Sequence, residues 1–275
     1  MKKLLILLFM LAVTASAATD MQKVKYMGTV KDIIISTQKI RGGTYNFLNG
    51  SEFAQFGVYE ERTRQKKAFK SLDRQFNVPG KKIDSEFDKL RNQTRSLNKM
   101  AFQLEPLTSF KAYSTLINKM IKSDQALQQH FFGKADPFVK GISSVMVNDL
   151  LPLSEGIGKL RGLGSGIIAR TYCEDEEEEM MNEYVEEIRT YLKKTVNDLQ
   201  ALNRKYGKRL PAKFNDKLVA LEKDLNKYVK FAEDKVIGKE DIDEDPNAYF
   251  DRGTAMIKKV MELYKISENA LKKAL

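Results

Sequence analysis

The sequence predicts an all-α protein, and three observations carry that prediction. Apolar residues recur at alternating steps of four and three along the clearest segments, runs that alternate apolar and polar residues are nearly absent, and glycine and proline fall between the periodic segments. Together they divide the chain into about eight helices, read as two up-down four-helix bundles related by an internal duplication.

The first helix runs from about residue 22 and is closed by Gly50, and the second ends at Val78-Pro79-Gly80. Pro106 separates the third from the fourth, and residues 133–137 close the fourth. The fifth reaches about Tyr172 with Pro152 inside it; a proline there removes an intrahelical hydrogen bond, so a kink or short break is expected. The sixth covers 175–206, where Tyr184, Ile188, Tyr191, Leu192, Val196, Leu199 and Leu202 form one apolar stripe. Its acidic opening, residues 174–179, complements the positive end of a helix dipole and needs no ligand. The seventh, 211–236, has the cleanest stripe, from Phe214 through Leu218, Leu221 and Leu225 to Val229 and Ala232. The eighth begins near Pro246.

Before the first helix stands Met1-Lys2-Lys3, an apolar run of about ten residues, and the small residues Ala15, Ser16, Ala17 and Ala18. This reads as a cleavable secretory signal peptide over 1–18, too short to span roughly 30 Å of hydrocarbon. The mature chain is then expected in the periplasm, with a first four-helix half over 19–134 and a second over 135–275. Cys173 is the single cysteine, so an internal disulfide is excluded and stability must come from packing. The net charge of +10 falls by two when Lys2 and Lys3 leave with the leader. The remaining basic residues are dispersed and show no aromatic-basic array, which argues against nucleic acid.

Two segments stand out: Lys39-Ile40-Arg41-Gly42 and Lys159-Leu160-Arg161-Gly162, 120 positions apart. A second pair of patterns repeats with them. Phe110, Ser114, Ile117 and Lys119 in the fourth helix match Phe250, Thr254, Ile257 and Lys259 in the eighth, at an offset of 140. Order and local spacing are kept, so the second copy holds about twenty extra residues, placed by this reading in its long sixth and seventh helices.

Enzyme constellations are missing. His130 is the single histidine, too few for a metal cluster or an independent serine-histidine pair. The acidic segment 241–245 begins like a calcium loop, but Pro246 stands where that loop needs glycine and Arg252 where it needs glutamate. Gly162-Leu163-Gly164-Ser165-Gly166 lacks the lysine and the preceding strand of a nucleotide loop; its glycines instead allow a close approach of a neighbouring helix or ligand. No catalytic residue, metal or cofactor is therefore expected. Arg41 and Arg161 sit among apolar and small residues, and a partly buried guanidinium calls for an anionic partner, either an internal glutamate or a ligand.

Residues 37–50, Thr-Gln-Lys-Ile-Arg-Gly-Gly-Thr-Tyr-Asn-Phe-Leu-Asn-Gly, followed by Glu61-Arg62-Thr63-Arg64-Gln65, resemble the first part of the nitrate- and nitrite-sensing domain of bacterial receptors. Residues 153–162 resemble its second arginine segment and 250–257 its last helix. The resemblance implies two four-helix bundles that hold nitrate or nitrite between facing helices through arginines. Arg41 and Arg161 match the arginine segments directly, and Arg64 matches a less distinctive family arginine. Family members are generally fused to membrane spans and signalling modules, so an exported stand-alone copy needs a separate membrane-bound signalling partner.

Physical chemistry agrees with what the resemblance implies. Nitrate spreads its charge over three coplanar oxygens, and a guanidinium fork takes two of them. Charge-assisted hydrogen bonds contribute about 1.5 to 3 kcal/mol each, and three or four reach roughly micromolar affinity after ordering losses. Two guanidiniums ~6 Å apart repel by about 3 kcal/mol at an effective dielectric of 20, repulsion that an anion relieves. The expected function is a periplasmic nitrate/nitrite-binding sensor module, with Arg41 and Arg161 as principal ligands, Arg64 as a further one, and Thr44 and Ser165 as hydrogen-bond donors. A homodimer is an open option. The alternative is an exported helical adaptor without a small-molecule ligand, which predicts that Arg41 and Arg161 are exposed or paired with carboxylates.

Overall fold

A computed structural model describes residues 18–75 and 77–275. The leader expected over 1–18 lies, except for its last residue, outside the described residues. Within them the chain is all-α: α1 (Asp20–Leu48), α2 (Ala54–Asp73), α3 (Lys81–Met100), α4 (Pro106–Phe132), α5 (Pro137–Val145), α6 (Leu151–Arg170), α7 (Asp175–Tyr206), α8 (Phe214–Lys235) and α9 (Pro246–Ala274).

The start signals act through side-chain chemistry. Thr19 caps α1 in a reciprocal box with Gln22, satisfying two backbone donors that the helix cannot. Asp136 and Asp245 cap α5 and α9, each followed by a proline whose fixed φ suits the first turn. Glu174 and Glu177 form the corresponding box at α7, so the acidic run does serve its helix start. The second helix ends at Asp73, earlier than the Val78-Pro79-Gly80 stop predicts, because the chain leaves the helix at Arg74 and passes through Asn77 at positive φ.

The irregularity expected at Pro152 takes the form of a change of helix type just before it. A π turn over Met146–Leu150 joins α5 to α6, with the Leu151 N–H bonding back to the Met146 carbonyl five residues earlier. The wider turn absorbs the position where Pro152 has no donor, and one rod runs from Pro137 to Arg170.

This rod is the centre of the molecule. Every residue from Leu151 to Ile168 is buried. A helix covered on all sides must present small residues where neighbours come closest, which accounts for its five glycines despite a cost of about 1 kcal/mol each in helix propensity. Around it, α6 packs on α1, α7 and α9, while α1 packs on α2 and α4. Several pairings recur along the chain: α1 with α2 and α4, α6 with α7 and α9, α3 with α4, and α8 with α9; α7 also packs on α8. Between the two stretches, 19–134 and 135–275, α1 crosses α6, and α4 packs alongside on α5 and α6. The clean stripes of α7 and α8 face inward, with Ile188, Leu199, Leu221 and Leu225 fully buried.

No helix among the described residues is long and apolar enough to cross a membrane.

Candidate anion-binding site

The two arginine-glycine segments meet where α1 crosses α6. A Cβ on Gly162 would stand 3.2 Å from the Gly42 Cα and 3.1 Å from the Phe110 ring, closer than side chains ordinarily sit. Glycine on both helices lets the backbones touch. One residue before each glycine, Arg41 and Arg161 are drawn into the interface and are 0% and 1% exposed.

Their surroundings correspond element by element. The Arg41 guanidinium lies 4.9 Å from the centroid of Phe110 and donates from Nη1 to Ser114 Oγ at 2.9 Å. Arg161 lies 4.3 Å from the centroid of Phe250 and donates from Nη1 to Thr254 Oγ1 at 3.0 Å. Phe110 and Ser114 are four apart on α4, as Phe250 and Thr254 are on α9, so each arginine meets one face of the last helix of its own half.

The correspondence stops at the counter-charge. Arg41 is met by Glu155, 1% exposed, which accepts from Nη1 through Oε1 and from Nη2 through Oε2, the latter at 3.2 Å. The position 120 before Glu155 is Ile35, and Arg161 has no carboxylate at hydrogen-bonding distance among the described residues. Its Nε and Nη2 are buried without any partner. Burial pulls the Arg161 pKa from 12.5 down to about 10; Arg41 adds to that pull, against Tyr228 and Glu155. The group remains a cation at neutral pH. The nearby Tyr228 hydroxyl is also buried and unpartnered.

A cavity of about 430 Å³ lies beside Arg161, between the start of α2 and the start of α9. Phe250, Thr254, Lys39, Asn46 and Asn247 line it with Arg161, and so do Glu60, Glu61 and Asp251. The space is therefore not free of acid. Glu61 is engaged by Lys39 at 2.9 Å and by Arg64 at 2.6 Å.

The other residues that the sequence singles out are distributed around this centre. Arg64 is exposed on α2 and paired with Glu60 and Glu61. Thr44 is wholly buried beside Tyr113, its hydroxyl without a partner. Ser165 donates to Asn46 Oδ1 at 2.7 Å and so supports a residue of the cavity wall. Gly166 admits the ring of Tyr45, which a Cβ would meet at 2.3 Å, and the Tyr45 hydroxyl bonds to buried Glu177. Five residues around the arginines escaped the sequence reading as site residues: Glu155, Phe110, Ser114, Phe250 and Thr254. The repeated Phe-Ser and Phe-Thr pairs carried a signal for the last four, because their spacing matched.

No protein-family model matches the chain, and no curated protein matches it. Among solved structures, that of the NasR transcription antiterminator is similar, with a TM-score of 0.66 at 16% sequence identity, over 92% of this chain and 68% of that one. At that identity the likeness shows a shared fold.

Proposed function

We propose that the chain is a sensor module that binds nitrate or nitrite at Arg161. The observation that carries this reading is a fully buried guanidinium with two N–H groups unpartnered beside a cavity. An unpaired buried charge is costly, and a bound anion removes that cost. Nε and Nη2 form the side edge of the guanidinium, where two parallel donors match two oxygens of one planar ion. Thr254 and Phe250 hold the fork in place. Arg41 is the second ligand once Glu155 withdraws: that carboxylate has the charge and the planar pair of oxygens of the proposed ligand, and it occupies Arg41 in the anion-free form.

The resemblance of residues 37–50 and 153–162 to the nitrate- and nitrite-sensing domain supports the choice of anion, and the fold shared with a regulatory protein is compatible with sensing. The leader-like sequence at 1–18 supports action in the periplasm, with a membrane-bound partner receiving the signal.

Calorimetry with nitrate, nitrite, chloride and sulfate tests the reading. Heat is expected with nitrate or nitrite and is lost in Arg161→Met. Absence of heat with both ions, or unchanged binding in the variant, would overturn it. The adaptor reading has its own support in the Arg41–Glu155 pair and in the exposed Phe53, Phe56 and Tyr59 at the start of α2; it predicts no heat with any of the four ions.

A further inference from the structure

A second basic region lies in the groove between α2 and α3. Arg62, Lys66 and Lys70 follow one another at four-residue intervals on α2, and Arg95 and Lys99 do the same on α3, so each row lies along one helix face. The helices run antiparallel, tied by Asn98 Nδ2 donating to Gln65 Oε1 at 2.9 Å and by Arg91 bound to Asp73, and the two rows flank a groove of about 600 Å³.

None of these five cations has a carboxylate within ion-pairing distance among the described residues. Asp73, the acidic residue in the groove wall, is engaged by Arg91. The neighbouring Arg64, on another face of α2, is paired twice, so the lack of partners is a property of the groove and not of the whole helix. Arg62 adds a second observation. Its guanidinium lies 4.6 Å from the centroid of Phe102, and its Nε and Nη2 are buried without a partner. Gln65 and Asn98, whose amides bond to each other and to Thr37 and Tyr113, close the floor beside the ring of Phe69 and hold the two helices at this spacing.

We propose that the α2–α3 groove binds a compact polyanion with two or more adjacent phosphate groups, either a free oligophosphate or the phosphorylated headgroup of a lipid. A monovalent ion would meet one or two of the cations and leave the rest repelling. A short chain of phosphates engages both rows at once, and the concave wall concentrates their field. This site is separate from Arg161 and does not depend on its ligand.

The test is calorimetry of the protein with tripolyphosphate and with orthophosphate at low salt, alongside flotation with phosphatidylcholine vesicles with and without a bisphosphorylated inositol lipid. Tripolyphosphate is expected to bind at least about tenfold more tightly than orthophosphate, and more weakly as salt rises. Arg95→Glu with Lys99→Glu, both at exposed positions, should weaken binding by at least about tenfold. The pair Lys208→Glu with Lys273→Glu makes the same change in net charge at a different face and should bind like the unaltered protein. Arg161→Met should also leave this binding intact. Flotation with the inositol lipid identifies a lipid headgroup as a source, and binding of tripolyphosphate alone identifies a free oligophosphate. Failure of both, or equal loss in the Lys208 and Lys273 pair, would overturn the proposal.

Discussion

Replacing Arg161 by methionine is expected to stabilise the anion-free protein, whereas the same change at Arg41 should destabilise it. The folded state lowers the Arg161 pKa from 12.5 to about 10. At about 1.4 kcal/mol per unit, holding this group as a cation at neutral pH costs the fold roughly 3 kcal/mol. Methionine removes that cost and keeps an unbranched chain against Phe250. Thr254 loses a donor but keeps its bond to the Phe250 carbonyl at 2.9 Å, so it is not stranded. After loss of the ring-cation contact, worth about 1 kcal/mol, the net gain is about 1 to 2 kcal/mol. For a domain of this size that raises Tm by a few degrees. At Arg41 the same change strands Glu155 in the interior, a loss of about 3 to 5 kcal/mol and a fall in Tm of about 10 °C. Differential scanning calorimetry in nitrate-free, chloride-free buffer at neutral pH checks both. If Arg161→Met lowers Tm as much as Arg41→Met does, Arg161 already has a counter-charge in the anion-free protein and no uncompensated charge is being relieved.

The other predictions concern its neighbours. Glu155→Gln removes the carboxylate that occupies Arg41 and should tighten nitrate or nitrite binding by roughly tenfold, read by calorimetry; weaker binding would mean that Glu155 helps to hold the anion. Gly166→Ala should destabilise by about 1 to 3 kcal/mol in a urea titration, because the new Cβ meets the Tyr45 ring and the Glu177 bond resists its displacement. Asp149, buried on the π turn with one oxygen on Lys194 and the other unpartnered, has its pKa raised from 3.8 to about 6, with burial as the main cause. Between these values the folded protein keeps a proton that the unfolded chain has released. The contribution of Asp149 to stability is therefore full below pH 3.8 and is lost as pH rises through about 6. In Asp149→Asn the Tm-against-pH curve should fall less steeply across that window than in the unaltered protein.

The helices were legible because their causes are local. Stripes such as Phe214 to Ala232, and breakers such as Pro106, Pro137 and Pro246, act within one or two turns. The end of α2 was less legible, since Asn77 at positive φ is a backbone solution that composition does not announce. The π turn before Pro152 was hidden for a similar reason: sequence shows that a donor is missing but not how a central helix absorbs the gap. At the site, the arginines and glycines could be found from their repetition. The asymmetry between them could not. It rests on one carboxylate, Glu155, reaching Arg41 across the interhelical contact, where no local pattern links positions 114 residues apart. Arg64 illustrates the converse, because a motif position says nothing of exposure, and its partners three and four residues away hold it at the surface.

The central claim is that Arg161 keeps an open donor edge for a small planar anion. A crystal structure of the protein grown with nitrate tests it most directly. A planar ion is expected in the interior with two oxygens on Nε and Nη2 of Arg161, next to Thr254. An Arg161 edge left without an ion at saturating nitrate, or closed by a protein carboxylate, would contradict it.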